Sequence, residues 1–160
     1  MLCKVCGNSQ LSHVISAKEV YLNYIYETAS TLGLDAHFET CSRDIIKNYN
    51  IKKGSTILDI GSNDGVLLYF FKKKGMRTLG VDPMPGIGKV AMRKYGIKTV
   101  EGFFGPNLAN KLIKKNKKHF NVITSNNLVA DTDDLNGFVK SVKKLMDRDS
   151  IFFFETFYLY

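Results

Sequence analysis

The stretch from Thr56 to Asp82, TILDIGSNDGVLLYFFKKKGMRTLGVD, constrains this chain more than any other. A β-branched and apolar run, Thr56-Ile57-Leu58, leads through Asp59 into Gly61-Ser62-Asn63-Asp64-Gly65 and then into an apolar helical stretch from Val66 to Phe71. A second short strand, Thr78 to Val81, ends on Asp82, 23 positions after Asp59. Strand, glycine loop, helix and strand in that order form the opening βαβ unit of a doubly wound nucleotide-binding sheet. Both acids then stand at the carboxyl ends of neighbouring parallel strands, the side on which such sheets bind ligands. Gly61 permits a tight turn off the first strand, and Gly65 lets the helix start close in, with no Cβ in the way.

The loop does not spell the dinucleotide pattern G-x-G-x-x-G, because Gly61 and Gly65 are four apart with Asn63 and Asp64 between them. A carboxylate beside such a loop repels a pyrophosphate, and Asp59 and Asp64 both stand there. A ligand carrying a sulfonium or an amino-acid ammonium together with a ribose, and no phosphate, fits better. Asp82 would accept hydrogen bonds from the ribose hydroxyls. The competing reading is a phosphate-binding or ligand-free Rossmann-like domain, since a glycine loop alone is a weak signal.

Alternation of strand and helix continues to the end of the sequence. Gly86 to Tyr95 reads as a helix closed by Gly96, Ile97 to Val100 as a third strand, and Pro106 opens a helix running to about Lys118. Phe120 to Ser125 is the fourth strand, with Asn126 and Asn127 at its carboxyl end. Asp133 or Asp134 caps a helix with Leu135, Phe138, Val139, Val142, Leu145 and Met146 on its apolar face, and Ile151 to Glu155 is the fifth strand. This order demands an α/β fold, a Rossmann-like doubly wound parallel sheet of order 3-2-1-4-5. Ahead of it, Leu34, Phe38, Cys41, Ile45 and Tyr49 make one helical stripe, an amphipathic helix packing on the sheet domain. The organisation is a cysteine-rich segment at 1–17, a helical extension at 18–53, and a ligand-binding domain at 54–160.

A length of 160 residues fits one domain with a real core. The net charge of +8 comes mainly from Lys72-Lys73-Lys74 and from Lys111, Lys114, Lys115, Lys117 and Lys118. These sit on outer faces or ends of helices, where lysine complements the helix dipole, so a solvated surface is expected and a nucleic-acid footprint is not. No run approaches the roughly 18 apolar residues of a membrane span. The opening MLCKVCGNSQ lacks the apolar core of a signal peptide. Three cysteines, an odd number, argue for a reducing compartment and a cytoplasmic protein.

Cys3 and Cys6, two apart and followed by Gly7, form half of a zinc ribbon. Cys41, His13 and His37 supply no second close-spaced pair, so the full four-ligand zinc site is not expected and a knuckle with free thiols is the competing reading. Tyr21, Tyr24 and Tyr26 lead into Glu27-Thr28-Ala29-Ser30, and such rings can cap a core while their hydroxyls meet water.

Taken together, the Asp59 to Gly65 loop, the Gly80-Val81-Asp82-Pro83 turn, Gly102-Phe103-Phe104, Asn127-Leu128-Val129-Ala130 and Asp133-Asp134-Leu135 resemble the class I S-adenosylmethionine-dependent methyltransferases. More narrowly, they resemble the sugar C-methyltransferases that act on nucleotide-linked 4-keto-deoxysugars. The resemblance implies S-adenosylmethionine as cofactor, bound by Asp59, Gly61, Ser62, Asn63, Gly65, Asp82 and Pro83, with Asp59 and Gly61 seating the methionyl end and Asp82 the ribose. Phe103 or Phe104 would face the adenine, and Asn126 or Asn127 would sit near the transferred methyl. Tyr26 and His37 are its candidates for catalysis on the acceptor side. Three departures stand out: the family's second cysteine pair is absent, Asp131 replaces a histidine before the double aspartate, and the family continues well past the fifth strand.

Three other classes stay open: a methyltransferase for a different small molecule, a nucleic-acid methyltransferase, and a module that binds cofactor without turnover. The second lacks support, because the fourth strand ends in Asn126-Asn127-Leu128 where base-amino methylation commonly uses a Pro-Pro-aromatic turn. The resemblance also implies a closing antiparallel hairpin that this sequence does not contain. The fifth strand, Ile151 to Glu155, is therefore expected as an open apolar edge. A second copy, a separate C-terminal polypeptide or the remainder of the same chain would cover it.

Overall fold

The structure, a computed structural model, describes residues 1–13, 15–21, 32–116 and 119–156. Five strands, β1 (Thr56–Ile60), β2 (Arg77–Asp82), β3 (Thr99–Glu101), β4 (Val122–Asn126) and β5 (Ile151–Glu155), form one sheet in the order β3-β2-β1-β4-β5. Every pairing is parallel, so the expected 3-2-1-4-5 doubly wound arrangement is the observed one. Six helices accompany it among the described residues: α1 (Ala17–Tyr21), α2 (Leu34–Asn48), α3 (Val66–Lys73), α4 (Ile87–Tyr95), α5 (Pro106–Asn116) and α6 (Leu135–Lys144).

The pleat divides the core in two, because successive strand residues face opposite sides. Ile57 and Val122 join Phe38 and Ile45 of α2, Leu67, Leu68 and Phe71 of α3, and Ala91 of α4 on one face. Leu58, Ile60 and Ile123 join Ala109 and Leu112 of α5 and Phe138 and Val142 of α6 on the other. The central strands β1 and β4 are thus buried on both sides, Thr124 and Ser125 along with their apolar neighbours, while the edge strands β3 and β5 stay partly exposed. Lysines surround this core in local roles. Lys72 donates from Nζ to the carbonyls of Gly96 and Tyr95 at the end of α4, at 2.8 and 3.3 Å, and Lys73 lies over the Tyr69 ring at 5.4 Å.

Several expected boundaries move. The third strand begins at Thr99, not Ile97, because the amides of Gly96 and Ile97 are spent capping α4 on Met92 O and Ala91 O. The fourth begins at Val122, not Phe120, because Phe120 N bonds Leu145 O and Asn121 binds Thr56 by backbone and side chain. Tyr49 is not part of the buried α2 stripe: it is the C-cap and is exposed, while Ser42 is buried on that helix. On α6, Leu135 and Val139 are half exposed, so the apolar face narrows to Phe138, Val142 and Leu145. Asp134, not Asp133, caps that helix, its Oδ1 accepting from Gly137 N at 2.8 Å.

At the N-terminus Leu2 and Ser9 bridge, and Gly7 N donates to Cys3 O at 2.9 Å, a small knuckle that leaves both Cys3 and Cys6 exposed. Among the described residues no group of three or more cysteine, histidine, aspartate or glutamate side chains converges to hold a metal. None of the helices described is long and apolar enough to cross a membrane.

Candidate functional site

The glycine loop is held by its neighbour strand. Gly61 N and Ser62 N both donate to Val81 O, at 2.8 and 3.1 Å, which draws the loop across the carboxyl end of β2. Gly61 has φ +78° and Gly65 φ +84°, and a Cβ on Gly65 would lie 3.2 Å from Ile97. Gly65 therefore permits close approach to the segment entering β3. Asn63 N reaches the Asp82 carboxylate (Oδ2, 2.8 Å), and Met84 N reaches its other oxygen at 2.9 Å. A single aspartate thus organises both loops while still facing the cleft.

Two adjoining cavities lie over these strand ends. The larger, about 350 Å³, is walled by Asp59, Gly61, Ser62, Asn63, Asp82, Pro83, Asn126 and Asn127 from the sheet, and by Tyr21, Leu34 and Phe38 from α1 and α2. The second, about 220 Å³, is walled by Gly61, Pro83, Phe103, Phe104, Asp131 and Phe138, among others. Tyr21, Gly61, Pro83, Leu128 and Asp131 border both. Tyr21 Oη donates to Asp131 Oδ2 at 3.3 Å, tying α1 to the short 3-10 turn Val129–Asp131 across the cleft.

Of the residues singled out in the sequence, Asp59, Gly61, Ser62, Asn63, Asp82, Pro83, Phe103, Phe104, Asn126 and Asn127 all border this cleft. Gly65 lies behind it as the αL cap of α3. Phe103 is 39% exposed, whereas Phe104 packs edge-on against Phe138 at 5.3 Å. Asp64 is a correction. It is fully buried, its Oδ2 is 3.7 Å from Lys94 Nζ, and it borders neither cavity. The acids facing a ligand beside the loop are therefore Asp59 and Asp82. Tyr26 lies outside the described residues.

Burial pushes the Asp59 carboxyl up to about 7, against a bond from Thr124 Oγ1 at 2.7 Å that opposes the rise and the charge of Asp82 that adds to it. Asp82 is also raised by burial, although the Met84 and Asn63 amides hold it down. Together with Asp131, Asp133 and Asp134, these carboxylates give the cleft walls one sign of charge, and no lysine or arginine lines either cavity among the described residues. On a chain of net charge +8, such a wall favours a ligand with a cationic centre.

His37 stands one turn along α2 from Leu34, and its Nε2–H donates to Glu155 Oε2 at 2.7 Å. Sequence reasoning missed Glu155, Thr124 and Leu128. A lone acid closing an apolar strand at its ligand-facing end was the available signal for Glu155, as was a threonine within a buried strand for Thr124. The side chain of Leu128 stands 3.5 Å from where a Gly61 Cβ would be, with nothing in the sequence to foretell it.

A family described as "Methyltransferase domain" matches residues 35–159. The chain is 23% identical over 159 residues to the C-methyltransferase NovU of Streptomyces niveus, covering 99% of this chain and 37% of that protein. It is 29% identical over 119 residues to the ubiquinone biosynthesis O-methyltransferase of Pelagibacter ubique (strain HTCC1062), covering 71% of this chain and 49% of that protein. The chain therefore spans less than half the length of either relative. Its fold is similar to that of an SAM-dependent methyltransferase from Thiobacillus denitrificans solved with S-adenosyl-L-homocysteine, with a TM-score of 0.55 and 14% identity over 73% of this chain and 46% of that one. The family match across most of the sequence and the glycine-loop sheet agree, and this chain belongs to the methyltransferase domain family, in its class I, Rossmann-like form.

Proposed function

We propose that this chain binds S-adenosylmethionine in the cleft between Asp59 and Asp82 and serves methyl transfer to a small-molecule acceptor. The observation that carries the reading is the pair of acids, Asp59 and Asp82, at the carboxyl ends of adjacent strands, lining the cleft beside the glycine loop. Asn126 adds to it: the residue borders the larger cavity, and its buried Oδ1 has no hydrogen-bond partner among the described residues, a polar group left for a ligand to satisfy after a small side-chain rotation. Asp59 would take the ammonium, Asp82 the ribose hydroxyls, and Phe103 the adenine face. The cofactor supplies an electrophilic methyl group on a sulfonium. The protein's part is to hold the acceptor in line and keep water away.

For the acceptor, the finer reading is a nucleotide-linked keto-deoxysugar, C-methylated next to its carbonyl, and the similarity to NovU supports it. The acid-lined walls set a condition on this reading. They suit the sugar end, and the diphosphate must lie away from them. The open side of β5, where Phe154 is 49% exposed, is in this reading covered by a second copy or a further polypeptide segment. Cys3 and Cys6 would belong to a reduced form of the family's zinc segment.

The test is incubation with methyl-labelled S-adenosylmethionine and a panel of nucleotide-linked 4-keto-deoxysugars, phenols and amines, with any partner polypeptide added back. Label appearing on a ring carbon of the sugar supports the finer reading. Label on oxygen or nitrogen of another acceptor keeps the coarser one and removes the finer.

A further inference from the structure

We infer that Cys3 and Cys6 are half of a thiolate zinc site and that a second copy of this chain supplies the other half, two N-terminal knuckles meeting around one ion. The inference is independent of the methyl-transfer reading, since neither cysteine borders the cleft.

The knuckle is held together by its own backbone. Leu2 bridges Ser9, Cys3 N donates to Asn8 O at 2.8 Å, Gly7 N donates to Cys3 O at 2.9 Å, and Gln10 N donates to Met1 O at 2.9 Å. Inside this turn the Cys6 amide, the Val5 amide and the Cys6 thiol all hydrogen-bond the Cys3 sulfur. The two sulfurs are therefore neighbours, and both cysteines are exposed. Two adjacent thiols open to solvent make a two-ligand chelate for a thiophilic divalent ion.

A closed zinc centre takes four ligands in a tetrahedron. This chain offers no third: no group of three or more cysteine, histidine, aspartate or glutamate side chains converges among the described residues. Cys41, the remaining cysteine, packs partly buried on α2 against the core. The zinc segment implied by the family resemblance thus disagrees with the ligands present in one chain. A twofold pair resolves the disagreement, because it brings two identical halves, four thiolates, to one point.

The surroundings fit such a pair. Every large apolar side chain of the first eleven residues, Met1, Leu2, Val5 and Leu11, is exposed, and Val5, between the two ligands in sequence, is 96% exposed. A second knuckle laid on the first covers this apolar surface as it completes the metal site. Zinc with four thiolates is a dianion, and Lys4 from each chain brings the positive charge that offsets it.

Sedimentation and metal analysis of the intact chain, kept reduced with a phosphine, test this. Added zinc should double the assembly mass relative to the metal-free chain, at one ion per two chains, and a chelator should reverse the change. Cobalt(II) in place of zinc should give the visible bands and sulfur-to-metal charge transfer of a tetrahedral four-thiolate site. Cys3→Ser and Cys6→Ser should each lose both zinc and zinc-dependent pairing, while Cys41→Ser keeps both. S-adenosylhomocysteine affinity should be the same in all three variants, so the result stands apart from the cofactor reading. One zinc per chain with no change in mass, no zinc retained, or zinc-dependent pairing that survives Cys3→Ser and Cys6→Ser would overturn the inference.

Discussion

The two ends of the cleft are built in different ways. The loop end comes from one contiguous βαβ unit, and its polar groups are fixed by backbone bonds: two amides on Val81 O and two on the Asp82 carboxylate. The opposite end is tied by side chains far apart in sequence, Tyr21 to Asp131 across 110 positions, and beside it α2 is tied to β5 by His37 to Glu155 across 118. A site made by local backbone geometry is fixed by the fold itself. A site made by long-range side-chain pairs can be altered without disturbing the sheet.

Substitutions should separate the two ends, and the largest effect is expected at the loop. Gly65→Ala forces a left-handed conformation on a residue with a Cβ and presses that Cβ to 3.2 Å from Ile97. It should cost about 2–5 kcal/mol in denaturant unfolding. A cost under about 1 kcal/mol would mean that the loop is less constrained than its geometry states.

Asp82→Ala comes next. It strips the acceptor from two loop amides and from the proposed ribose contact, and should weaken S-adenosylhomocysteine binding by about 1.5–3 kcal/mol in calorimetry.

Protonation of Asp59 gives a third contrast. Its folded carboxyl is raised from 3.8 to about 7, so the folded chain binds the proton more tightly than the unfolded one. The stability it contributes is full below the unfolded value and is lost as pH rises from about 4 to about 7. An ammonium placed against Asp59 favours the ionised form. Binding of S-adenosylhomocysteine near pH 6 should therefore release a proton, seen as a calorimetric enthalpy that varies with the buffer. Affinity should strengthen by up to about tenfold per pH unit up to about pH 7. Asp59→Asn should abolish the proton release. A buffer-independent enthalpy in the unsubstituted chain would place the ammonium elsewhere.

The smallest effect is expected beside the opposite end. Glu155→Ala removes a partly exposed pair and should change stability by about 1 kcal/mol or less, with cofactor affinity unchanged. A large loss of cofactor affinity would show that the two ends are coupled.

The same contrast explains what the sequence revealed. Strand order, the glycine loop and the acids at 59 and 82 were legible because each depends on local pattern: apolar runs for doubly buried strands, glycine where φ is positive, acids at strand ends. Asp64 misled because sequence cannot say which way a loop carboxylate turns, and Lys94 draws it inward. The α6 stripe was drawn too wide because periodicity marks every apolar residue on a face, while only those opposite the sheet are covered. Glu155 was hidden for a different reason. Its partner His37 comes from a helix ahead of the sheet, and only the folded register brings them to one face.

The central claim is that the cleft at Asp59, Gly61 and Asp82 takes an S-adenosyl ligand and not a dinucleotide. Titration calorimetry of the chain with S-adenosylhomocysteine and, separately, with NADH tests it most directly. The account predicts saturable one-to-one binding of S-adenosylhomocysteine and no heat from NADH, whose pyrophosphate meets acids where it needs donors. Tight binding of NADH, or no binding of S-adenosylhomocysteine, would contradict it.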